Sequence, residues 1–213
     1  MHTSVDKAQT ALPSIFLNPI EWTAALFFLI IVFAYVLCHG LTALVVTPVQ
    51  SLVLPEVTVF ASLIYLPHGV RVLATWAYGW KAVPALIVGT SLSVWLFSAP
   101  EDVNFLQPAL IEGILVGSAS AFVAFEITRL AGFDFYFGGS RKLQWKGLIA
   151  VGALSSVINS LGQTLVYSGL IDLEKVIGVW AIYAAGDLIG LVMCMVALMF
   201  VFRWDRMFRA LKR

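Results

Sequence analysis

Residues 22–46 read WTAALFFLIIVFAYVLCHGLTALVV, an apolar run without a single Asp, Glu, Lys or Arg. A helix of about 20 mainly apolar residues crosses the hydrocarbon core of a bilayer, so this run predicts a transmembrane helix. The rest of the chain repeats the pattern. Of the 213 residues, 61% are hydrophobic and 12% are charged, and the mean hydropathy is +0.94. This composition has too little polar surface to coat a soluble globule, which indicates a membrane protein.

The chain divides into six apolar runs, which predict six membrane spans. They cover residues 22–46, 57–79, 82–98, 108–128, 147–169 and 176–202. The third run is short and carries Pro84 and Gly89, so we expect that helix to tilt or kink. No segment is long and polar enough to form a soluble domain. Residues 1–213 therefore predict one all-α integral membrane domain, a bundle of about six transmembrane helices.

The distribution of basic residues predicts the orientation of the bundle. Six crossings leave both termini on one side, and the positive-inside rule places that side in the cytoplasm. The N-terminal residues lack a short apolar core with a cleavage site, so no secretory signal is expected. Residues 203–213 predict a basic cytoplasmic tail that lies against anionic lipid headgroups. The predicted inside residues are Lys7, Lys81, Arg129, Arg141, Lys142, Lys146, Arg203, Arg206, Arg209, Lys212 and Arg213. The predicted outside residues are Lys175 and the acidic Glu56, Glu101, Asp102, Asp172 and Glu174.

The second run contains a helix breaker and two ionisable groups, in the stretch Leu66-Pro67-His68-Gly69-Val70-Arg71. Proline removes a backbone donor and glycine tolerates a distorted backbone, so we expect the second helix to break at Pro67–Gly69. Ionisable groups at bilayer depth are costly and usually functional. Freed carbonyls at such a break can coordinate an ion or an anionic group. This stretch is therefore the first candidate for a site.

Counting residues from the outer end of each span places His68, Asn159 and Asp187 at one level, about 15 Å deep. An unpaired charge at that depth is expensive, so we expect Arg71 to pair with Asp187, with His68 and Asn159 close by. On the fifth span, one polar stripe holds Ser155, Asn159 and Gln163, and a second stripe beside it holds Ser156, Ser160 and Thr164. A single stripe is also typical of simple helix packing. The predicted ligand-binding residues are His68, Arg71, Asn159, Gln163 and Asp187.

Other residues favour packing roles. Gly186 and Gly190 flank Asp187, so the face that packs closely against a neighbour also carries the acid. Cys38 and Cys194 fall at different counted depths, which predicts two small buried thiols and no disulfide. The remaining expectations are an interfacial or packed His39 and an ion pair between Glu126 and Arg129 at the inner surface. No zinc or haem spacing occurs, so no metal and no cofactor are predicted.

Two stretches resemble the bacterial membrane-associated sensor domains of the first class (MASE). Residues 64–92, with Pro67, Gly69, Gly79, Pro84 and Gly89, are similar to one signature of that family. Residues 178–198 are similar to a second signature, which has a tryptophan followed by the Gly186-Asp187 and Gly190 positions. The resemblance implies a sensor in the bacterial inner membrane, with Pro67, Gly69, Gly186 and Gly190 as motif positions. Family members continue into a cytoplasmic output module, whereas this sequence stops at Arg213. The resemblance therefore implies a stand-alone sensory or small-ligand-binding domain that signals to a separate partner.

Two other functions also fit the sequence. Small size, six spans and cytoplasmic termini resemble the substrate-binding subunit of energy-coupling-factor transporters for vitamins or metabolites. The small-residue docking motif of those subunits is only loosely offered by Ala24, Ala25 and Ala34. A structural or assembly subunit of a larger membrane complex is the other alternative. No enzyme is predicted, because no serine has a His or Lys base at matched depth and Asp187 lacks a second catalytic aspartate. The expected partners are membrane lipids, a protein in the membrane or cytoplasm, and a small ligand, ion or proton, but no nucleic acid.

Overall fold

The protein is an all-helical bundle in the part of the chain that a computed structural model describes. These residues are 19–53, 62–99, 104–138, 145–166 and 176–211, with side chains described from residue 22 and, in the last segment, from residue 183. Five helical stretches in them are long and apolar enough to cross a membrane: Trp22–Val53, Leu66–Phe97, Pro108–Leu130, Trp145–Val166 and Tyr183–Ala210. This architecture is that of a multi-pass membrane protein, and no strand occurs among the same residues.

Seven α-helices build the described part of the bundle. The first stretch contains α1 (Pro19–Leu41), a π-helical turn (Thr42–Val46) and α2 (Thr47–Val53). The second contains α3 (Leu66–Tyr78), a 3₁₀ turn (Gly79–Lys81) and α4 (Ala82–Phe97). The others are α5 (Pro108–Leu130), α6 (Trp145–Val166) and α7 (Val176–Leu211).

Helix α3 runs antiparallel to α1. At one end the Phe27 and Tyr78 ring centroids are 4.8 Å apart. At the other end the Leu66 N–H donates to Thr42 Oγ1 at 3.3 Å. As the residue number rises along α1, the contacted residue number falls along α3.

Helix α4 turns back and runs parallel to α1. Gly89 packs against Tyr35, and Gly40 packs against the Phe97 ring further along. The reversal occurs at Gly79, whose φ of 58° is accessible to glycine at little cost. The stretch from α3 to α4 is therefore a helical hairpin.

The remaining helices follow the same alternation. Helix α6 lies antiparallel to α5, with Ser155 Oγ donating to Ser120 Oγ at 3.3 Å and the Gln163 amide donating to the Gly113 carbonyl at 2.9 Å. Helix α7 lies beside α3, and its Cys194 thiol approaches the Leu66 carbonyl at 3.4 Å. Two apolar clusters, one centred on Tyr35 and the other on Phe125, flank the polar residues described below.

Four of the six predicted apolar runs coincide with helices of the structure, and where both boundaries are described most differ by only a few residues. The third, fourth and fifth spans match α4, α5 and α6, and the sixth matches α7, which continues through the predicted tail to Leu211. In the first run, helical structure continues past the predicted end at residue 46 and reaches Val53. Residues 203–210 are exposed, and Asp205 pairs with Arg209 at 2.8 Å.

The second span differs from its prediction. Residues 62–65 are not helical, and α3 begins at Leu66 with Pro67 in its first turn. The predicted break at Pro67–Gly69 therefore lies at the start of a helix instead of inside one. The physical reason is that a first-turn N–H has no acceptor within the helix, so proline loses nothing there and its fixed φ favours the helix.

Several predictions concern residues that the structure does not describe. Residues 57–61 of the second span and 167–169 of the fifth lie outside the described residues. The same holds for part of the charge pattern: Lys7, Glu56, Glu101, Asp102, Arg141, Lys142, Asp172, Glu174, Lys175, Lys212 and Arg213.

Candidate functional site

The start of α3 is held by hydrogen bonds from two sides. The Leu63 N–H donates to Gln50 Oε1 at 2.7 Å, and the Tyr65 N–H donates to the Gly186 carbonyl at 3.0 Å. Within a bilayer, irregular backbone is tolerated only where it is buried in protein and its polar groups are satisfied. These bonds satisfy the N–H groups of Leu63 and Tyr65 and hold the segment that leads into the next turn.

His68 and Asp187 meet at the interface of α3 and α7. His68 Nδ1 lies 3.5 Å from Asp187 Oδ2, and the two side chains are 0% and 3% exposed. His68 Nε2 lies 3.1 Å from the Gly152 carbonyl of α6. Ser156, also on α6, donates its hydroxyl to Asp187 Oδ2 at 2.6 Å. Three helices therefore converge on one imidazole and one carboxylate.

The arrangement assigns a role to each imidazole nitrogen. A backbone carbonyl has no proton to give, so the contact with Gly152 requires that His68 Nε2 carry the hydrogen. In the neutral ring Nδ1 then presents a lone pair to Asp187 Oδ2, and the two negative ends repel each other. In the charged ring Nδ1 carries a second proton and is attracted to the same oxygen. The contact between His68 and Asp187 is therefore sensitive to a single proton.

Arg71 does not make the predicted ion pair with Asp187. It lies one turn below His68 and turns toward α1, where its Nη2 donates to the Tyr35 hydroxyl at 2.7 Å. Its guanidinium carbon is 5.5 Å from the Tyr35 ring centroid and 5.7 Å from that of Tyr65. Aromatic faces attract a cation, and this attraction strengthens where water is excluded. The long Arg71 side chain thus reaches aromatic partners, while the shorter His68 faces the acid.

A glycine makes room for the guanidinium. A Cβ added to Gly117 of α5 would lie 3.0 Å from Arg71 Nη2. The planar group lies close against this helix backbone, and Arg71 is 5% exposed. Its Nε has no hydrogen-bond partner among the described residues. The Arg71 guanidinium is therefore a buried cation that makes no direct contact with a carboxylate of the described residues.

The two polar stripes of α6 face different neighbours. Ser155 and Gln163 bond to α5, so the stripe that contains them and Asn159 holds α6 against that helix. Asn159 Oδ1 is buried without a hydrogen-bond partner among the described residues. Ser156 belongs to the other stripe and bonds to Asp187. The structure thus places Gln163 in a packing contact and brings Ser156 to the acid.

Glycines let α7 approach the start of α3. A Cβ on Gly190 would overlap the Tyr65 carbonyl, and a Cβ on Gly186 would overlap the Ser62 carbonyl. On the other side, a Cβ on Gly69 would lie 2.6 Å from Cys194 Sγ. These motif positions serve the close packing that brings Asp187 to His68.

The cysteines also meet at this interface, contrary to the depths counted for them. The Cys38 and Cys194 side chains are in hydrogen-bonding contact, and both thiols are free. The depth count assumed that each span begins at the same level. The first helical stretch instead continues past its predicted end at Val46 to Val53, so Cys38 lies further from the end of that stretch than the count placed it.

Sequence reasoning missed two residues of the centre, Ser156 and Tyr35. Tyr35 could have been predicted from the sequence, because a phenol within an apolar span needs a hydrogen-bond partner. Ser156 had none, because which stripe of α6 faces α7 depends on the rotation of the helix about its axis. His39 is packed as predicted, with its ring centroid 5.7 Å from that of Phe97. The Glu126–Arg129 ion pair is also confirmed.

Fold and site define a class of protein: a helical membrane bundle with a buried polar centre shared by several helices. Comparisons with protein-family models, curated proteins and solved structures find no match to this chain. The resemblance to the membrane-associated sensor domains stays a prediction. Among the described residues, no three His, Cys, Asp or Glu side chains come together as a set of metal ligands.

Proposed function

We propose that the protein is a sensory membrane domain in which a proton on the His68–Asp187 pair sets the packing of α3 against α7. One observation carries the proposal: a fully buried imidazole has one nitrogen committed to a carbonyl and the other facing a carboxylate. Histidine is the side chain whose charge changes most readily near physiological pH. The proposed role is sensing and not catalysis.

The two charge states of the pair favour different packing. With His68 protonated, Asp187 attracts the imidazolium and draws α7 toward α3. With His68 neutral, the lone pair of Nδ1 faces Asp187 and repels it. The negative charge of Asp187 then balances the buried positive charge of Arg71. A ligand or proton shifts such an equilibrium only through its different affinity for the two states. The proton supplies that difference here.

The same charges define the chemistry of a small co-ligand. With His68 protonated, the centre holds Arg71, the imidazolium and one carboxylate, which leaves one positive charge in excess. A buried excess charge is costly, so the protonated state favours an anion and the neutral state does not. A small anion would therefore bind together with the proton.

We propose six crossings, with both termini in the cytoplasm of a bacterial inner membrane. The antiparallel course of α3 and α4 supports counting them as two crossings. Lys81 and Arg129 line one cavity, which supports placing the basic turns at one face. Reporter fusions at residues 81 and 99 test this topology, because opposite sides are expected for the two positions and the same side would contradict it.

We propose that α7 carries the signal to a separate protein partner. It is 36 residues long, or about 54 Å at about 1.5 Å per residue, whereas the hydrocarbon core is about 30 Å thick. Its exposed end, residues 203–210, extends beyond the packed part of the bundle. The transporter and assembly-subunit alternatives stay predictions.

The proposal is tested by hydrogen exchange in lipid nanodiscs between about pH 5 and pH 8, corrected for intrinsic exchange rates. We expect residues 62–69 and 183–194 to be better protected at the acidic end. His68→Gln, which retains a donor for the Gly152 carbonyl, is expected to abolish this pH dependence. His39→Gln, at a second packed histidine, is expected to retain it.

The same pH dependence in wild type and His68→Gln would overturn the proposal. Asp187→Asn provides a second test if His68→Gln does not fold, because it keeps the shape of the acid and removes its charge. It is also expected to give exchange that does not vary with pH.

A further inference from the structure

A cavity of about 400 Å³ opens at the end of the bundle away from the His68–Asp187 pair. Its walls come from the end of α3, the Gly79–Lys81 turn, the last turns of α5 and the loop that follows α5. The loop is docked in place, since the Phe137 N–H donates to the Trp76 carbonyl at 2.9 Å. The Tyr136 and Phe125 rings stack with centroids 4.8 Å apart. The cavity is therefore a built feature of the fold.

Glu126 is the one carboxylate among the described residues that line the cavity, and both of its oxygens already accept hydrogen bonds. Glu126 Oε1 accepts from the Tyr136 hydroxyl at 2.8 Å, and Oε2 accepts from Arg129. Burial and the bond to Glu126 raise the pKa of Tyr136, so its phenol stays a donor throughout the physiological range. Each oxygen of Glu126 thus already has one donor within the protein, and the ion pair with Arg129 offsets its charge.

The other polar groups that line the cavity are donors and cations. Lys81 is exposed at the rim, and Arg129 has further N–H groups beyond the one that bonds Glu126. Trp76 Nε1 is buried without a hydrogen-bond partner among the described residues. The charges of Lys81, Arg129 and Glu126 leave one positive charge in excess. This donor set suits a ligand that is anionic and rich in acceptor oxygens.

Two further features narrow the class of ligand. Helix α4 starts at the Gly79–Lys81 turn that lines the cavity, so the positive end of its dipole lies near the same region, while its first N–H, that of Ala82, donates to the Gly79 and Trp80 carbonyls. The walls also carry the aromatic side chains of Trp80, Phe122 and Phe137. An anion with an apolar or ring-bearing portion matches both the donors and the walls.

We propose that this cavity binds the phosphate group of an amphiphilic or aromatic ligand, with Lys81 and Arg129 contacting the phosphate and the aromatic walls contacting the remainder. Basic pockets at the cytoplasmic face of membrane proteins bind anionic lipid headgroups in this way. A lipid of the inner leaflet and a soluble phosphate ester share this chemistry. The proposal uses no residue of the His68–Asp187 centre, so the failure of either one leaves the other standing.

The experiment measures binding of two probes to the purified full chain. The first probe is phosphatidylglycerol, compared in nanodiscs of phosphatidylcholine with and without this lipid by native mass spectrometry. The second is glycerol phosphate, which carries no acyl chains, measured by calorimetry in neutral detergent. Retention of the lipid alone identifies the inner leaflet as the source, and binding of glycerol phosphate identifies a soluble ester.

Three variants decide whether binding occurs in the cavity. Lys81→Gln is expected to weaken binding of the retained probe about fivefold or more. Ala77→Phe keeps every charge and fills the cavity, and it is expected to lower binding at least as far. Lys146→Gln removes a basic residue of the same face that does not line the cavity, and it is expected to change binding less than twofold.

Two results would overturn the proposal. One is equal loss of binding in Lys81→Gln and Lys146→Gln, which would indicate diffuse attraction to the whole basic face. The other is that neither probe binds to the wild-type chain.

Discussion

His68 Nδ1 and Asp187 Oδ2 lie 3.5 Å apart with both side chains almost fully buried. This contact joins the first turn of α3 to the middle of α7, and Ser156 and the Gly152 carbonyl of α6 complete it. A charge at this position depends on its few neighbours, because both side chains are almost fully buried. The predictions below remove these neighbours one at a time.

Asp187→Asn keeps the size of the side chain and removes the carboxylate. We expect a loss of about 3 kcal/mol in the free energy of unfolding, because Arg71 stays buried without an anion near it. The measurement is reversible unfolding in mixed micelles. Asp205→Asn is the matched control on the same helix, since Asp205 pairs with Arg209 in an exposed position, and it should cost less than about 1 kcal/mol. Equal losses for the two variants would contradict the role of the buried acid.

Arg71→Lys keeps the charge and removes the planar group. An ammonium cannot lie flat between Gly117 and the rings of Tyr35 and Tyr65, so we expect a destabilisation of about 2 kcal/mol. Tyr35→Phe should cost a similar amount, because it removes the acceptor of a hydrogen bond from a buried cation. Tyr78→Phe, at a ring that packs against Phe27, should change stability by less than about 0.5 kcal/mol. A wild-type unfolding curve for Arg71→Lys would contradict this account.

Gly190→Ala introduces a Cβ that would overlap the Tyr65 carbonyl. Backbone cannot yield as a flexible side chain does, so α7 must move away from α3 and separate Asp187 from His68. We expect lower thermal stability and loss of the pH-dependent exchange proposed above. Ala197→Val adds bulk at an exposed position of α7 and is expected to leave both properties unchanged.

Tyr136→Phe removes the hydroxyl that bonds Glu126 and loosens the loop over the cavity that Lys81 and Arg129 line. The expected cost is about 1 kcal/mol, measured by unfolding and by faster exchange of residues 131–137. The pKa of Tyr136 is raised in the folded protein, so its protonated form is the stabilising one. The stabilisation is complete below the ordinary tyrosine pKa of about 10 and is lost as the pH rises through the folded value. The difference between wild type and Tyr136→Phe should therefore be constant from about pH 6 to pH 9.

Most of the helices could be predicted because hydropathy is a local property of the chain. The apolar run at 82–98 corresponds to α4, and the run at 108–128 corresponds to α5, which ends at Leu130. The start of α3 could not be predicted in the same way. The helix begins at Leu66 because the N–H groups of Leu63, Tyr65 and Leu66 donate to acceptors that are distant in the sequence. These acceptors are Gln50, Gly186 and Thr42, respectively.

The sequence by itself determined that the protein is a helical membrane bundle. It also determined that His68, Arg71 and Asp187 would be buried, because ionisable groups within apolar runs face the interior of a bundle and not the lipid. Only the tertiary structure decided which partner each of them has. The rotation of α6 turned Ser156 to the acid and Gln163 to α5, and the reach of the Arg71 side chain carried its charge to Tyr35. Such choices depend on distances of a few ångströms between helices, and neither hydropathy nor residue spacing encodes those distances.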